Sequence, residues 1–333
     1  MKKQILIQLI MAMFAVVITN TAIGQAIHHT APIALTCTSG PLNPIAGNPY
    51  NYGVSVTPTG GDFQWWATTD QGFIAAGANN SSTKLTTVSG ALLGTSASYG
   101  VTSKTTSVDI TWSSGTLAAA VATPTFVVAQ YDATCANNLK VYKITPTNGF
   151  TVDILNLDAT TKAPLAYGTP FSTCVSPIQS AKYVAGAIVT DYGTNVLYYE
   201  VVAANFTGSW VPAFTLPTSL PAGMTATVVW DYDGTFTGVT HAANSSDPVL
   251  TSETNTSNGV SIFVRVTIQN GAHEGLADFA YPLYVNGTDA ASLSDVPNTN
   301  CTLAPSAIDD LATQTLLARP TVTSTTGSGF VTP

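Results

Sequence analysis

Tyr50-Asn51-Tyr52-Gly53-Val54-Ser55-Val56 alternates large apolar residues with small or polar ones, and Gly60-Gly61-Asp62-Phe63-Gln64-Trp65-Trp66 follows it. A period of two puts Tyr50, Tyr52, Val54 and Val56 on one side of an extended chain, the pattern of a half-buried β-strand. Gly60-Gly61 marks a turn, and a second strand carrying tryptophan begins beyond it. The alternation returns in Val108-Asp109-Ile110-Thr111-Trp112 and in Leu139-Lys140-Val141-Tyr142-Lys143-Ile144. Further strands are read at 125–129, 150–154, 196–203, 226–230, 260–268 and 280–285, each bounded by Gly, Pro, Asn or Asp. Many short strands punctuated in this way predict an all-β protein of the sandwich type. One helix is predicted, over 306–318, with Ser306 as its cap, Asp309 and Asp310 in its first turn and Pro320 as its stop.

Met1-Lys2-Lys3 precedes an apolar run from Ile5 to Ile18, and Ala22-Ile23-Gly24 supplies small residues before Gln25. A charged start, a short apolar stretch and a small-residue exit describe a secretory signal peptide over 1–24. The run is too short for a good membrane span, so the mature chain is expected to be secreted, at the cell surface, without inserting in the membrane. The 333-residue chain is long enough for two domains, each with its own core. Charged residues make up 8% of it, where about 25% is usual. Thr, Ser, Asn and Gly occupy the positions that Lys and Glu usually take, and so little charge does little to keep copies apart. Ten Lys and Arg stand against 18 Asp and Glu, and Lys2 and Lys3 leave with the leader. That balance argues against nucleic acid and against anionic lipid.

Cys37, Cys135, Cys174 and Cys301 all lie in the exported part, and an even count there points to disulfides. Pairs Cys37–Cys135 and Cys174–Cys301 would each close one domain; Cys135–Cys174 would instead staple the region between domains. The boundaries read as an N-terminal extension at 25–36, a first sandwich at 37–157, a linker at 158–173, a second sandwich at 174–301 and a C-terminal extension at 302–333. A faint internal repeat supports two units. Tyr52, Val54, Val56 and Trp65 align with Tyr199, Val201, Ala203 and Trp210. Residues 108–112 align with 227–230, and 126–128 with 263–266.

The segment from Cys37 through Pro49-Tyr50-Asn51-Tyr52-Gly53-Val54 to Trp65-Trp66 resembles the opening of immunoglobulin-like or PKD-like domains of secreted Bacteroidetes-type surface proteins. Val54, Val56 and Trp65 fit that family's packing pattern. The resemblance implies two tandem immunoglobulin-like β-sandwiches with extended termini, and export; it implies no particular activity.

Chemical motifs are sparse. His28 and His29 adjoin the mature N-terminus, and His273-Glu274 sits in a predicted turn. No Gly-x-Ser-x-Gly elbow occurs. Asp231 with Asp233, or Asp309 with Asp310, are the carboxylate pairs that glycoside hydrolysis would require. Asp231-Tyr232-Asp233-Gly234 is also a fragment of a calcium loop, although no further carboxylate follows to complete it. Beyond that calcium candidate no cofactor is expected.

Adjacent rings in a strand face opposite ways. Trp65 is the expected core ring and Trp66 the exposed one, and Tyr198 and Tyr199 repeat the arrangement, so Trp66, Tyr198 and Tyr199 are the contact candidates. Thr321, Val322, Phe330 and Val331 lie in an uncharged, β-prone tail suited to strand addition on a neighbouring molecule. The reading is a non-enzymatic structural protein that assembles with copies of itself into a filament, sheath or surface layer. The alternative is an adhesin that binds glycans or other surface proteins.

Overall fold

Most strands form where two-residue alternation meets β-branched and aromatic residues, but Val54-Ser55-Val56, which continues the alternation from Tyr50, is not strand. The computed structural model describes residues 30–75, 78–79, 102–103, 105–253, 255–272, 277–297 and 310–322. The protein is all-β in character, with a single α-helix among the described residues.

In the first half, β1 (Pro49–Gly53) and β2 (Asp62–Thr68) are the two strands expected from the alternation. Two short strands, β3 (Ile74–Ala75) and β4 (Ala78–Asn79), pair with each other. After β5 (Thr102–Ser103), β6 (Ser107–Thr111) returns antiparallel to β1 with Tyr52 opposite Val108. Helix α1 (Ser114–Ala122) comes next, followed by β7 (Thr125–Asp132) and β8 (Asn137–Ile144). The order β5-β2-β7-β8 makes a four-stranded sheet. Tyr52, Trp65, Ile110, Trp112 and Val127 form the core between it and the β1–β6 pair. The Trp112 indole donates to the Tyr52 hydroxyl at 3.0 Å, and that hydroxyl donates to the Pro41 carbonyl at 2.6 Å, so both buried polar tips are satisfied.

The second half is larger. Its strands are β9 (Thr151–Leu157), β10 (Phe171–Cys174), β11 (Ser180–Val184), β12 (Ala187–Asp191), β13 (Thr194–Ala204) and β14 (Ser209–Thr215). They continue with β15 (Thr225–Asp231), β16 (His241–Ala242), β17 (Val249–Leu250), β18 (Val260–Gln269), β19 (Phe279–Asp289) and β20 (Leu311–Leu317). One sheet runs β16-β15-β18-β13-β9, the other β10-β20-β19-β14-β17, while β11 and β12 form a separate hairpin. Trp210, Trp230, Tyr199, Phe206 and Tyr281 anchor a core of their own.

The strand pairings of the two halves are alike in part. The β13–β18 pair sets Tyr199 opposite Val264, as β1–β6 sets Tyr52 opposite Val108. The order β14-β19-β20 parallels β2-β7-β8. The strand plan matches β6 with β18 and β7 with β19, whereas the alignment of 108–112 with 227–230 and of 126–128 with 263–266 sets β6 against β15 and β7 against β18. β15 is an additional strand on the far edge of β18.

Several expectations are corrected. β9 falls within 37–157, yet it pairs with β13 and every one of its residues is buried there, so it belongs to the later strands. The helix expected at 306–318 is instead strand β20 over its described part. Ala312, Gln314 and Leu316 alternate inward, a period of two that the acidic start obscured. Helix α1 was not anticipated. Its signal is the Ser113 side chain accepting from the Thr116 amide at 3.1 Å ahead of an alanine-rich run. Cys135 and Cys174 are free and exposed, so neither Cys37–Cys135, Cys174–Cys301 nor Cys135–Cys174 forms. Cys135 lies in the turn between β7 and β8, and Cys174 ends β10 in the other half, which keeps them apart. Cys37 is disulfide-bonded, with neither of these as its partner.

A junction of buried hydrogen bonds couples the halves. The Ser114 amide donates to Thr207 Oγ1 at 3.0 Å, and the Thr207 amide donates to Ser114 Oγ at 3.1 Å. Asn48 Nδ2 donates to Asn205 Oδ1 at 2.8 Å. The Thr256 amide donates to the Gly47 carbonyl at 3.1 Å, while the Thr256 hydroxyl donates to the Phe206 carbonyl at 2.6 Å. Gly47 has φ +71°, and a Cβ there would collide with Thr256 Oγ1 and the Phe206 carbonyl. Gly47→Ala is expected to cost about 1–3 kcal/mol, measured by urea unfolding, from backbone strain alone. An unchanged midpoint would show that the junction is not packed as described.

Candidate functional site

Trp66, expected to face outward, is fully buried. Its cross-strand neighbour Val128 is buried as well. The chain beyond β2 folds over that face, where Phe73 meets the Phe126 ring edge-on at 5.0 Å. Alternation separated the two rings correctly; what covers the second face is a tertiary matter that alternation does not encode. Tyr199 is likewise a core residue, and burial pushes its hydroxyl well above the usual tyrosine range. Of the three contact candidates only Tyr198 reaches the surface, and it is half-buried.

Tyr198 belongs to a cluster on the outer face of β13. Its ring lies 5.8 Å from Phe236, and Lys162 Nζ sits 4.8 Å above it. The Arg265 guanidinium covers Phe236 at 4.7 Å. Lys162 Nζ also donates to the Gly234 carbonyl at 2.9 Å, tying the cluster to the turn after β15. In that turn Asp231 accepts the Gly234 amide on Oδ1 at 2.7 Å and the Phe236 amide on Oδ2 at 2.6 Å. Asp233 Oδ1 accepts the Thr235 amide at 2.8 Å and its hydroxyl at 2.7 Å. These carboxylates brace a turn that holds Gly234 and Phe236 at positive φ. Burial lifts the Asp231 carboxyl above the usual range, against the pull of its two amide donors and with the help of the Asp233 charge. The Thr235 amide and hydroxyl hold Asp233 below that range.

A second carboxylate pair escaped sequence reasoning. Asp153 on β9 and Glu200 on β13 are fully buried on the face away from the main core. Glu200 Oε1 accepts the Ser261 hydroxyl at 2.6 Å, and Oε2 accepts the Thr30 hydroxyl at 3.4 Å. Asp153 Oδ2 accepts the Ile33 amide at 3.0 Å. The pair therefore straps the segment preceding β1 across the second half. Burial, reinforced by both carboxylates, raises the Tyr167 hydroxyl above its ordinary range. The sequence signal was an acid in the middle of each of two otherwise apolar strands.

His241 stacks on Trp230 at 4.1 Å between ring centres and meets Asp247 Oδ2 at 2.8 Å, a contact that lowers the Asp247 carboxyl. Asp310 is buried. Thr321 and Val322 are exposed. His28, His29, His273, Glu274, Cys301, Asp309, Phe330 and Val331 lie outside the described residues. Among the described residues no three His, Cys, Asp or Glu gather as a metal site. No helix among them is long and apolar enough to cross a membrane.

A concavity lies elsewhere, in the first half. A groove of about 480 Å³ runs between residues 53–57, beyond β1, and β8, with Phe63, Ala129 and Tyr131 among its lining. The Tyr142 hydroxyl donates to the Gly53 carbonyl across it.

No family model matches the chain, and no curated protein does. Among solved structures it is similar to AvmM, which catalyses macrocyclization in alchivemycin A biosynthesis, at 8% identity over 52% of this chain and 92% of that one, TM-score 0.20. It is also similar to CfaE, the adhesive subunit of the CFA/I fimbria of enterotoxigenic Escherichia coli, at 10% identity over 89% and 86% of the two chains, TM-score 0.26. At these scores neither likeness bears on what the chain does.

Carboxyl resonances followed by NMR are expected to place the Asp231 midpoint above 3.8 and that of Asp233 below it. Calcium is expected to leave both in place, because the oxygens are committed to the turn; a calcium-dependent drop in both would make the turn a cation site.

Proposed function

We propose that this is a non-enzymatic structural protein of the cell exterior, built from two immunoglobulin-like sandwiches, that assembles with copies of itself. The observation that carries the reading is the β11–β12 hairpin. All five residues of β11 are exposed, and the hairpin presents Tyr183 at 75%, Val184 at 52% and Val189 at 58% exposure. An apolar ribbon standing clear of both cores is a contact surface in search of a partner. In a chain with 8% charged residues, another copy offers the same uncharged, threonine-rich exterior to pack against. The turn carboxylates and the buried Asp153–Glu200 pair serve as braces, which supports a structural reading over a hydrolytic one.

The glycan-binding alternative relied on Trp66, Tyr198 and Tyr199. Two of these are core residues, and Lys162 occupies the ring face of Tyr198 that a sugar would stack on.

Light scattering and negative-stain microscopy of the secreted, non-reduced protein are expected to show regular assemblies. Replacing Tyr183 and Val189 together by serine is expected to weaken assembly at least tenfold while leaving tryptophan emission unchanged, since all five tryptophans are buried. Wild-type monomers at high concentration would overturn the reading.

A further inference from the structure

The β11–β12 hairpin has two outer edges, and its geometry decides which of them suits a second copy. Ala185 at φ +49° and Gly186 at φ +92° form a two-residue loop in the left-handed region. Such a loop closes on a hydrogen-bonded pair, here Val184 with Ala187. Hydrogen-bonded and non-hydrogen-bonded pairs alternate along an antiparallel ladder. Lys182 with Val189 is therefore hydrogen-bonded, whereas Tyr183 with Ile188 and Ala181 with Thr190 are not. The amides and carbonyls of Ala181 and Tyr183 point away from β12, and those of Ile188 and Thr190 away from β11. Among the described residues no further strand pairs with either edge.

The two edges differ in the residue at their centre. Copies that pair antiparallel about a two-fold axis set one residue opposite itself, midway between the residues that form the new bonds. On β11 that residue is Lys182, between Ala181 and Tyr183; on β12 it is Val189, between Ile188 and Thr190. The central pair is of the non-hydrogen-bonded kind, in which the two Cα atoms come within about 4.5 Å and the side chains are closest. Two lysine side chains repel there, whereas two valine side chains pack. Val189 is exposed, and it shares its face of the hairpin with the exposed Val184 and Ala187. Ile188 and Thr190 lie on the other face and are half-buried, so the valine face is the open one.

We propose that two copies join along the outer edges of β12, antiparallel about a two-fold axis at Val189, to make one continuous sheet in the order β11-β12-β12-β11. The proposal rests on the self-assembly reading and names its contact. Ile188 of each copy comes opposite Thr190 of the other, and these residues exchange backbone hydrogen bonds. Asp191 comes opposite Ala187, so no like charges face each other across the new edge. Val184, Ala187 and Val189 of both copies merge into one apolar strip with a Lys182 at each margin. Three strand spacings keep the two lysines about 14 Å apart. The contact is isologous and closes on itself, so it yields a pair of molecules, and larger assemblies are built from pairs. Strands of five residues bury less than the ~1,600 Å² of a standard interface, so pairing is reversible and rises with concentration.

The test is disulfide capture in the full chain with Cys135 and Cys174, both unpaired, changed to serine. One variant carries Val189→Cys on the proposed axis, and a control carries Val239→Cys at a site 77% exposed elsewhere. On mild oxidation V189C is expected to form a symmetric disulfide dimer at least tenfold faster than V239C, because the close pair lies within disulfide reach. A charge swap gives a second readout. Val189→Lys and Val189→Asp are each expected to slow assembly at least tenfold with unchanged tryptophan emission, and an equal mixture of the two is expected to assemble faster than either alone. A mixture no faster than its components overturns the apposition at residue 189. Assemblies that form while V189C links no faster than V239C overturn this contact and leave self-assembly standing. Absence of both assemblies and link overturns the contact together with the structural reading.

Discussion

An extended strand carries amide and carbonyl groups on both edges, and each must find a partner or remain in water. This constraint organises the molecule. In the second half it is met strand by strand: β18 and β13 are central, β9 covers the exposed side of β13, and β10 covers β20. In the first half β8 is the last strand of its sheet among the described residues, and the chain just beyond it donates from the Thr145 and Thr147 amides to the Leu42 and Pro44 carbonyls. With so few charges on the chain, side-chain repulsion does little to guard a free edge beyond Lys140 and Lys143 on β8 and Lys182 on β11, and a second copy meets the edge of β12.

The rest of the architecture holds the two halves together. Each half has a core built on a tyrosine and a tryptophan in equivalent strands, Tyr52 with Trp65 and Tyr199 with Trp210. The junction between the cores consists of short, buried hydrogen bonds through Ser114, Thr207 and Thr256, with a glycine where a side chain has no room. Buried polar groups of this kind are costly to leave unpaired, so they fix the two halves in one arrangement. The Asp153–Glu200 pair contributes by holding the segment at Thr30 and Ile33 on the second half.

Much of the strand content was legible in the sequence, because alternation such as Tyr50 to Val56 depends only on local geometry. Trp65 was assigned inward on the same ground. Trp66 was not, since its burial depends on Phe73 and the chain beyond β2 returning over that face. β20 was read as a helix because Ser306, Asp309 and Pro320 imitate helix boundaries, while its period of two spans only seven residues. The repeat was sensed from Tyr and Trp but set β6 against β15 rather than β18, because Trp230 on β15 resembles Trp112 more than any residue of β18 does. The asymmetry between the halves left no mark in the sequence at all. It appears only when the two halves are compared as sheets, and β9 is seen to have no counterpart beside β1 among the described residues.

The central claim concerns the backbone of one strand, so backbone exchange tests it most directly. Hydrogen–deuterium exchange of β12, from Ala187 to Asp191, compared between dilute monomer and assembled protein, reports whether its outer amides acquire partners. The account predicts that the outward amides of Ile188 and Thr190 exchange quickly in the monomer and become protected on assembly, while those of Ala181 and Tyr183 on β11 stay fast in both. Assembly that leaves β12 exchanging as fast as in the monomer would contradict it.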